Sequence, residues 1–186
     1  MWLFEMIRKI FGFFKNEVKV LVIGLDNSGK STILNKLQLK ETQKSLIVPT
    51  IGYSVEKIIV GQTVFLCFDM SGSGAYRNLW EKFYKDCEAI IYVVDSSDEL
   101  RLIVAEDEFQ QLLKHPDICS RRIPILLFAN KMDLPNSVAV KEIVKILGLE
   151  NLRNKSWRIF ASNALNGEGL NEGLVWLFKQ LKQDNN

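Results

Sequence analysis

The chain has few cysteines and few prolines, and it lacks any long apolar run. Its 186 residues include three cysteines, four prolines and one histidine. Cys67, Cys87 and Cys119 are odd in number and widely spaced. This pattern predicts a protein of the reducing cytosol whose cysteines do not form a metal-binding knuckle. No uninterrupted apolar stretch of about 18 residues occurs, so the sequence predicts no membrane-spanning helix.

The balance of charge is close to even. Lysine and arginine total 24 and aspartate and glutamate total 22, giving a formal charge of +2. Such a balance lacks the strong excess of basic charge that is typical of proteins that bind nucleic acid. Apolar residues make up 47% and charged residues 25%, which excludes a fully disordered chain. Without repeats or a Pro/Gly-rich linker, we expect a monomer with one domain at 17–186, preceded by a separate segment at 1–16.

Apolar runs alternate with helical patterns along this domain. The patterns predict strands at 18–23, 53–60, 63–68, 89–94, 123–129 and 157–161, and helices at 31–39, 98–114, 138–147 and 168–182. Parallel strands that alternate with helices indicate a three-layer α/β sheet, and the hairpin around 61–62 adds one antiparallel edge pair. In such folds the loops at the carboxyl ends of the strands carry the ligand.

A phosphate-binding loop follows the first predicted strand. Residues 24–31 match G-x-x-x-x-G-K-[ST] in the required strand–loop–helix setting. The nucleotide-binding residues expected here are Gly24, Leu25, Asp26, Asn27, Ser28, Gly29, Lys30, Ser31 and Thr32. Lys30 should reach the β- and γ-phosphates and act in catalysis, and the Ser31 hydroxyl should ligate Mg²⁺. The alternative is a Gly-rich turn with a surface lysine.

A second motif, Asn130-Lys131-Met132-Asp133, points to guanine rather than adenine. The Asp133 carboxylate can accept from guanine N1–H and N2–H₂, and adenine would leave a buried Asp133 unpaired. Lys131 can lie over the base plane, and Asn130 can tie its loop to the phosphate loop. After the last strand, Asn163-Ala164 brings an Ala164 N–H that we expect to donate to guanine O6. The alternative is a polar turn before a proline.

Two short motifs flank the predicted hairpin and suit a sensor of the γ-phosphate. Thr50 can offer its hydroxyl to Mg²⁺, but only if its loop closes over the phosphate. Asp69 can hold a Mg²⁺-bound water, and the Gly72 N–H can donate to a γ-oxygen where no bulky side chain would fit. Loss of that phosphate would free both loops. The alternative is a pair of ordinary loops.

With these motifs together, the chain resembles the Arf and Arf-like family of small GTPases. The resemblance covers essentially the whole chain and is carried by residues 24–30, 49–52, 76–80, 130–134 and 167–170. It implies a P-loop NTPase fold with a six-stranded sheet, GTP and GDP as ligands, Mg²⁺, exchange factors, GTPase-activating proteins and effectors. Residues 69–72, 76–80 and 115–124 are similar to a ciliary branch that recruits the BBSome coat. That similarity implies a BBSome-like coat or adaptor as effector and a location at the cilium or its base.

Two positions depart from the family pattern. Ser73 stands where the family usually has the glutamine that orients the attacking water, and it is too short to span the same gap. We therefore expect slow GTP hydrolysis, restored by a partner or by a neighbour such as Arg77; the alternative is that Ser73 is an ordinary loop residue. Trp2 stands where many relatives carry a myristoylated glycine, so that acylation is unavailable.

The first residues form an amphipathic pattern at helical spacing. On a helical wheel the large apolar residues occupy one arc and the charged residues the other. The apolar arc includes Trp2, Leu3, Phe4, Ile7, Ile10, Phe11 and Phe14. A wide aromatic face opposite basic residues suits a membrane interface, which predicts a cytoplasmic, peripheral membrane protein. The alternative is a helix docked on the domain. The resemblance implies that it docks in the GDP state and is expelled when the hairpin shifts register on GTP binding.

An aromatic set and two rival functions complete the predictions. Tyr53, Phe68 and Phe83 match a patch that Arf-like proteins use for effectors, although Phe68 could equally be core.

One rival function is a GTP-binding scaffold that does not hydrolyse GTP, in which Ser73 marks lost turnover. The other is a P-loop kinase or ATPase, against which Asp133 argues.

Overall fold

One six-stranded sheet organises the part of the chain that the structure describes. The computed structural model describes residues 16–38 and 42–183. The strands are β1 (Asn16–Ile23), β2 (Tyr53–Val60), β3 (Thr63–Met70), β4 (Ala89–Asp95), β5 (Ile125–Asn130) and β6 (Trp157–Ala161). Their order is β2-β3-β1-β4-β5-β6; β2 runs antiparallel to β3 at one edge, and every other pair is parallel. The predicted sheet is confirmed.

The described part of the chain contains six α-helices, of which five lie between strands and one follows β6. They are α1 (Lys30–Leu37), α2 (Glu81–Tyr84), α3 (Glu99–Lys114), α4 (Pro116–Cys119), α5 (Val140–Ile146) and α6 (Leu170–Gln183), with short 3-10 turns at Arg77–Leu79 and Leu149–Asn151. Asp98 caps α3 as predicted, its side chain accepting from the Arg101 N–H. None of the described helices combines the length and the apolar character needed to cross a bilayer.

Alternating side chains of the strands build one core on each face of the sheet. From β1, Leu21 and Ile23 belong to the core that also contains Phe109 of α3. Val20 and Val22 point the other way and join the core that contains Leu34 of α1 and Leu177 of α6. Each such side chain stabilises the fold by roughly 1.5–3 kcal/mol when buried. Helices therefore cover both faces, which gives the predicted three layers.

Several element boundaries differ from the prediction, for local reasons. Helix α6 begins at Leu170 rather than 168, because Gly169 has φ 76° and lies so close to β6 that an added Cβ would be 2.0 Å from Ala161 O. Helix α5 begins at Val140, since the preceding Ala139 is extended. Asn16, which the prediction placed at the end of an N-terminal helix at 1–16, belongs to β1 and pairs with Thr63 of β3. Residues 1–15 of that predicted helix lie outside the described residues.

The topology places the loops that follow the parallel strands at the same end of the sheet. Because β1, β3, β5 and β6 are parallel, the loops that follow them at 24–29, 71–76, 131–139 and 162–169 emerge on the same side. Strand β2 is antiparallel, so the segment at 42–52 that precedes it reaches that side too. All the predicted nucleotide motifs lie on these loops or directly beside them.

Candidate functional site

The loop at 24–29 wraps tightly because three of its residues adopt positive φ. Gly24, Asn27 and Gly29 have φ values of 142°, 61° and 97°. A Cβ on Gly24 would be 2.2 Å from Val93 O, and one on Gly29 would be 2.3 Å from the Asn130 side chain. Gly29 is the N-cap of α1 and offers it no side-chain acceptor. The first backbone N–H groups of α1 are therefore left for an anion, which the helix dipole also favours.

Lys30 spans this loop from the inside. Its Nζ donates to Gly24 O at 3.0 Å and to Leu25 O at 2.8 Å. Burial lowers the pKa of Lys30 to about 8, because desolvation outweighs the attraction of Asp69 and Asp26. A phosphate chain beside this ammonium would favour its charged form.

Ser31, Thr50 and Asp69 meet although they are far apart in sequence. The Ser31 hydroxyl donates to Asp69 Oδ2 at 2.5 Å, Thr50 Oγ1 lies 3.0 Å from Ser31 Oγ, and it donates to Asp69 Oδ2 at 3.4 Å. Burial raises the pKa of Asp69, and its Oδ1 is buried without a hydrogen-bond partner. Two hydroxyls and a carboxylate oxygen that lacks a partner are the hard oxygen donors that Mg²⁺ prefers, so these residues fit the ion.

Gly72 lies directly against the phosphate loop. A Cβ at this position would be 2.2 Å from Asp26 N and from Leu25 C. The predicted absence of room for a side chain is confirmed. Preceding it, Ser71 N donates to Gly52 O at 2.8 Å, which joins the loop after β3 to the segment before β2. Together with the phosphate loop, these segments enclose a cavity of about 390 Å³ that Lys30 also lines.

A second cavity, of about 170 Å³, adjoins the phosphate loop on the side of β5 and β6. It is lined by Asn27, Gly29, Thr32, Asn130, Lys131, Asp133, Leu134, Asn163, Ala164 and Leu165. Asn130 Nδ2 donates to Ser28 O at 2.8 Å, so Asn130 ties the two loops together as expected. Lys131 has φ 64°, and its Nζ pairs with Asp95 Oδ2 at 2.6 Å, which holds its stem at the cavity.

Three predicted contacts in this second cavity stay predictions, and the structure adds a detail to each. The Ala164 N–H, expected to be ready for guanine O6, donates to Asn130 Oδ1 at 3.1 Å and would have to be shared. The Asn163 side chain accepts from Leu165 N at 2.9 Å and from Asn166 N, so it shapes its own turn. Asp133 is exposed in this structure. Leaving its carboxylate unpaired would therefore cost free energy only when a bound base shields it from water.

Ser73 and Arg77 follow Gly72 on the same loop. Ser73 is half-buried and lines the 390 Å³ cavity, where the family glutamine would stand. Arg77 donates through Nε to Gly72 O at 2.8 Å and through Nη1 to Glu108 Oε1 at 2.7 Å. The hypothesis that Arg77 supplies the missing catalytic group is therefore not supported, because its guanidinium is already engaged.

The sequence reasoning missed the contacts that fasten the segment before β2. Asn35 of α1 accepts from Lys44 N at 2.6 Å and donates to Lys44 O at 3.0 Å. Lys44 Nζ also pairs with Glu56 of β2 at 2.5 Å, and Gln38 donates to the other oxygen of that carboxylate at 2.6 Å. No short motif signals these partners, because they belong to three different elements.

The predicted aromatic set forms one contact group. The ring of Phe83 lies 4.9 Å from that of Tyr53 and 5.2 Å from that of Phe68. Tyr53 is 50% exposed, whereas Phe68 and Phe83 are half-buried and pack against the core. The core contact expected for Phe68 is therefore present, and its role in effector binding stays a prediction. The apolar residues predicted for the membrane, Trp2, Leu3, Phe4, Ile7, Ile10, Phe11 and Phe14, lie outside the described residues.

Comparison with known proteins decides the family. The profile of the ADP-ribosylation factor family matches residues 3–181. The chain belongs to the ADP-ribosylation factor family. Small GTPases of this family bind GTP and GDP and are GTP hydrolases in general, so this chain is an Arf-like GTPase.

Similar proteins lie in one part of this family. The ADP-ribosylation factor-like protein 6 of Danio rerio is 52% identical over 182 residues, 98% of each chain. The Caenorhabditis elegans protein of that name is 40% identical over 181 residues, 97% of this chain and 95% of the relative. The Arl6/BBS3 small GTPase of Trypanosoma brucei, solved with the nucleotide analogue GppNp, is 42% identical, with a TM-score of 0.83 over 90% of this chain and 98% of that one.

Proposed function

We propose that this Arf-family GTPase is a membrane switch whose GTP-bound state recruits a coat or adaptor effector of the BBSome type. The observation that carries the proposal is the closure of Thr50 onto Ser31 and Asp69, with Gly72 against the phosphate loop. The likeness to ADP-ribosylation factor-like protein 6 and to the Arl6/BBS3 GTPase supports the choice of effector.

The nucleotide is bound at the two cavities. Residues 24–32, with Thr50 and Gly72, contact the phosphates; Lys30 stabilises their charge, and the first N–H groups of α1 donate to them. Lys131, Asp133 and the Ala164 N–H contact the guanine, and the Asn130 and Asn163 side chains hold the loops that carry them. Ser31 and Thr50 would hold Mg²⁺ directly and Asp69 would hold it through a water; when bound, the ion would neutralise charge on the phosphate oxygens.

Hydrolysis breaks the bond between the γ-phosphorus and the bridging oxygen. A water attacks in line, its proton passes to the phosphate or to solvent, and the electron pair leaves with GDP. Lys30 offsets charge that develops in the transition state. Ser73 stands at the position of the usual catalytic glutamine, and its side chain is too short to orient the water.

Replacing Ser73 with glutamine is expected to raise the single-turnover rate of γ-phosphate release roughly fivefold to tenfold, the worth of one net hydrogen bond to the attacking water. Gly74→Gln is the matched control, because Gly74 has open space around it and places the same side chain one residue further on. Equal rates in the natural chain and the Ser73→Gln variant would contradict this role. If hydrolysis stays absent even with activating proteins, the non-hydrolysing scaffold becomes the better description.

The effector surface lies beside the γ-phosphate sensors. Ile51 is 79% exposed and Leu46 is 73% exposed, and both precede the half-exposed Tyr53 at the edge strand. Exposed apolar side chains beside a free strand edge suit a protein partner. Because Thr50 is one residue from Ile51, loss of the γ-phosphate would disturb this surface. The rings of Phe68 and Phe83 extend it.

We further propose that the segment before β1 anchors the GTP-bound protein to a membrane, which places it in the cytoplasm and on a membrane of the cilium or its base. Asn16 lies at the end of β1 opposite the phosphate loop, so the segment joins the domain at the end away from the nucleotide loops. The GppNp-loaded chain is expected to co-sediment with anionic liposomes several-fold more than the GDP-loaded chain, since buried apolar area sets such binding. Phe11→Ser should reduce this binding. Equal sedimentation of the two loaded forms would count against the anchor.

Recruitment is tested by capture on immobilised chain. GppNp-loaded chain is expected to retain purified BBSome, and GDP-loaded chain to retain little. Ile51→Asp, which introduces a charge into the exposed apolar surface, should abolish capture without loss of nucleotide. Retention that does not depend on the nucleotide would contradict the switch.

A further inference from the structure

Two side chains hold consecutive carbonyl groups of the γ-phosphate sensor. Trp80 Nε1 donates to Ser71 O at 3.0 Å, and Arg77 Nε donates to Gly72 O at 2.8 Å. Trp80 is buried at 2% exposure, which fixes its ring. Both donors belong to residues that directly follow the loop at 71–76. The loop is therefore held by the segment of chain that comes after it.

Holding a carbonyl group also orients the next N–H group. The described peptide bonds are all trans, and in a trans peptide the C=O and the following N–H point in opposite directions. Trp80 therefore directs the Gly72 N–H away from itself, and Arg77 does the same for the Ser73 N–H. Gly72 and Ser73 both line the 390 Å³ cavity that contains Lys30.

Arg77 is itself held from α3 and lies near the phosphate loop. Its Nη1 bonds Glu108 Oε1 at 2.7 Å, with both side chains only 20% exposed, and its Nη2 lies 3.9 Å from Asp26 Oδ1. A guanidinium can make these contacts together because its N–H groups form a planar fork, which an ammonium cannot reproduce. Glu108 thus fixes the plane in which Arg77 meets Gly72.

We propose that Arg77, held by Glu108, is a positioning residue that orients the Gly72–Ser73 peptide so that the Ser73 N–H becomes a second backbone donor to the terminal phosphate of GTP. This inference rests on the proposed function, since it needs a nucleotide in the cavity. It assigns Arg77 no contact with the substrate. It also gives Ser73 a role through its backbone that its short side chain does not prevent.

The test is the ratio of dissociation constants for GppNp and GDP, measured on purified nucleotide-free chain. Arg77→Lys is expected to raise the ratio of the GppNp constant to the GDP constant roughly tenfold, because the Ser73 N–H would no longer be held toward the terminal phosphate. The dissociation constant for GDP should change by less than about twofold. Arg122→Lys is the matched control, because Arg122 is exposed and precedes β5 at the opposite end of the sheet. It should leave both constants unchanged.

Glu108→Gln provides a second variant, which carries the test if Arg77→Lys does not fold. It keeps an acceptor for Arg77 but removes the charge, so the ratio should rise in the same direction by a smaller factor. An unchanged ratio in these variants, or an equal weakening of GppNp and GDP, overturns the inference, since equal weakening means general structural support. If the natural chain binds neither nucleotide, the proposed function fails and this inference fails with it.

Discussion

Replacing Gly72 with alanine is expected to weaken binding of GppNp roughly tenfold to a hundredfold while leaving GDP binding nearly unchanged. The added Cβ would meet backbone atoms of the phosphate loop, Asp26 N and Leu25 C at 2.2 Å and Gly24 O at 2.5 Å. Backbone cannot rotate away as a flexible side chain can, so the loop after β3 must withdraw. The terminal phosphate then loses a charge-assisted N–H donor, worth about 1.5–3 kcal/mol.

Gly74→Ala is the matched control for this experiment. A Cβ there meets nothing within 4 Å, so both nucleotides should bind as they do to the natural chain. Competition against a fluorescent guanine nucleotide measures the two affinities on the same preparation. If Gly72→Ala and Gly74→Ala bind GppNp equally well, Gly72 does not sense the γ-phosphate.

Asp133→Asn is expected to reduce affinity for GDP about a hundredfold or more and to increase affinity for xanthosine diphosphate. The carboxylate is proposed to accept from guanine N1–H and N2–H₂, and bonds to a charged acceptor contribute about 1.5–3 kcal/mol each. An asparagine amide turns one acceptor into a donor, which suits the second carbonyl of xanthine and opposes the amino group of guanine. Isothermal titration with both diphosphates measures the change.

The control here is Asp86→Asn, an exposed aspartate between α2 and β4, away from the nucleotide loops. It should not alter the preference between guanine and xanthine. Retention of full GDP affinity by Asp133→Asn would remove Asp133 from the base site. Comparable binding of ATP by the natural chain would instead favour the kinase or ATPase reading of the phosphate loop.

The fold followed from the sequence because its signals are local. Val20 and Leu21 point to opposite faces of β1, and their alternation between two cores is a property of neighbouring residues. The phosphate loop is similarly local, since Gly24, Gly29 and Lys30 lie within one short segment. Element ends were less accurate where a tertiary contact decides them, as at Gly169 beside Ala161 O.

The rest of the site depends on which distant residues meet. No pattern in the sequence pairs Arg77 with Glu108 on α3, or Asn35 with Lys44, because these contacts arise from packing. For the same reason the prediction left Arg77 free as a catalytic candidate. Residue types identified the groups able to bind phosphate and guanine, whereas only the folded chain determines which of them are already occupied.

Amide hydrogen exchange of the chain loaded with GDP or with GppNp tests the central claim most directly. The claim is that the terminal phosphate orders the segments at 42–52 and 71–76, which meet at Gly52 and Ser71. Both segments should exchange more slowly with GppNp, while the central strands β1 and β4 exchange equally slowly in the two forms. Identical exchange of both segments with the two nucleotides would contradict the account.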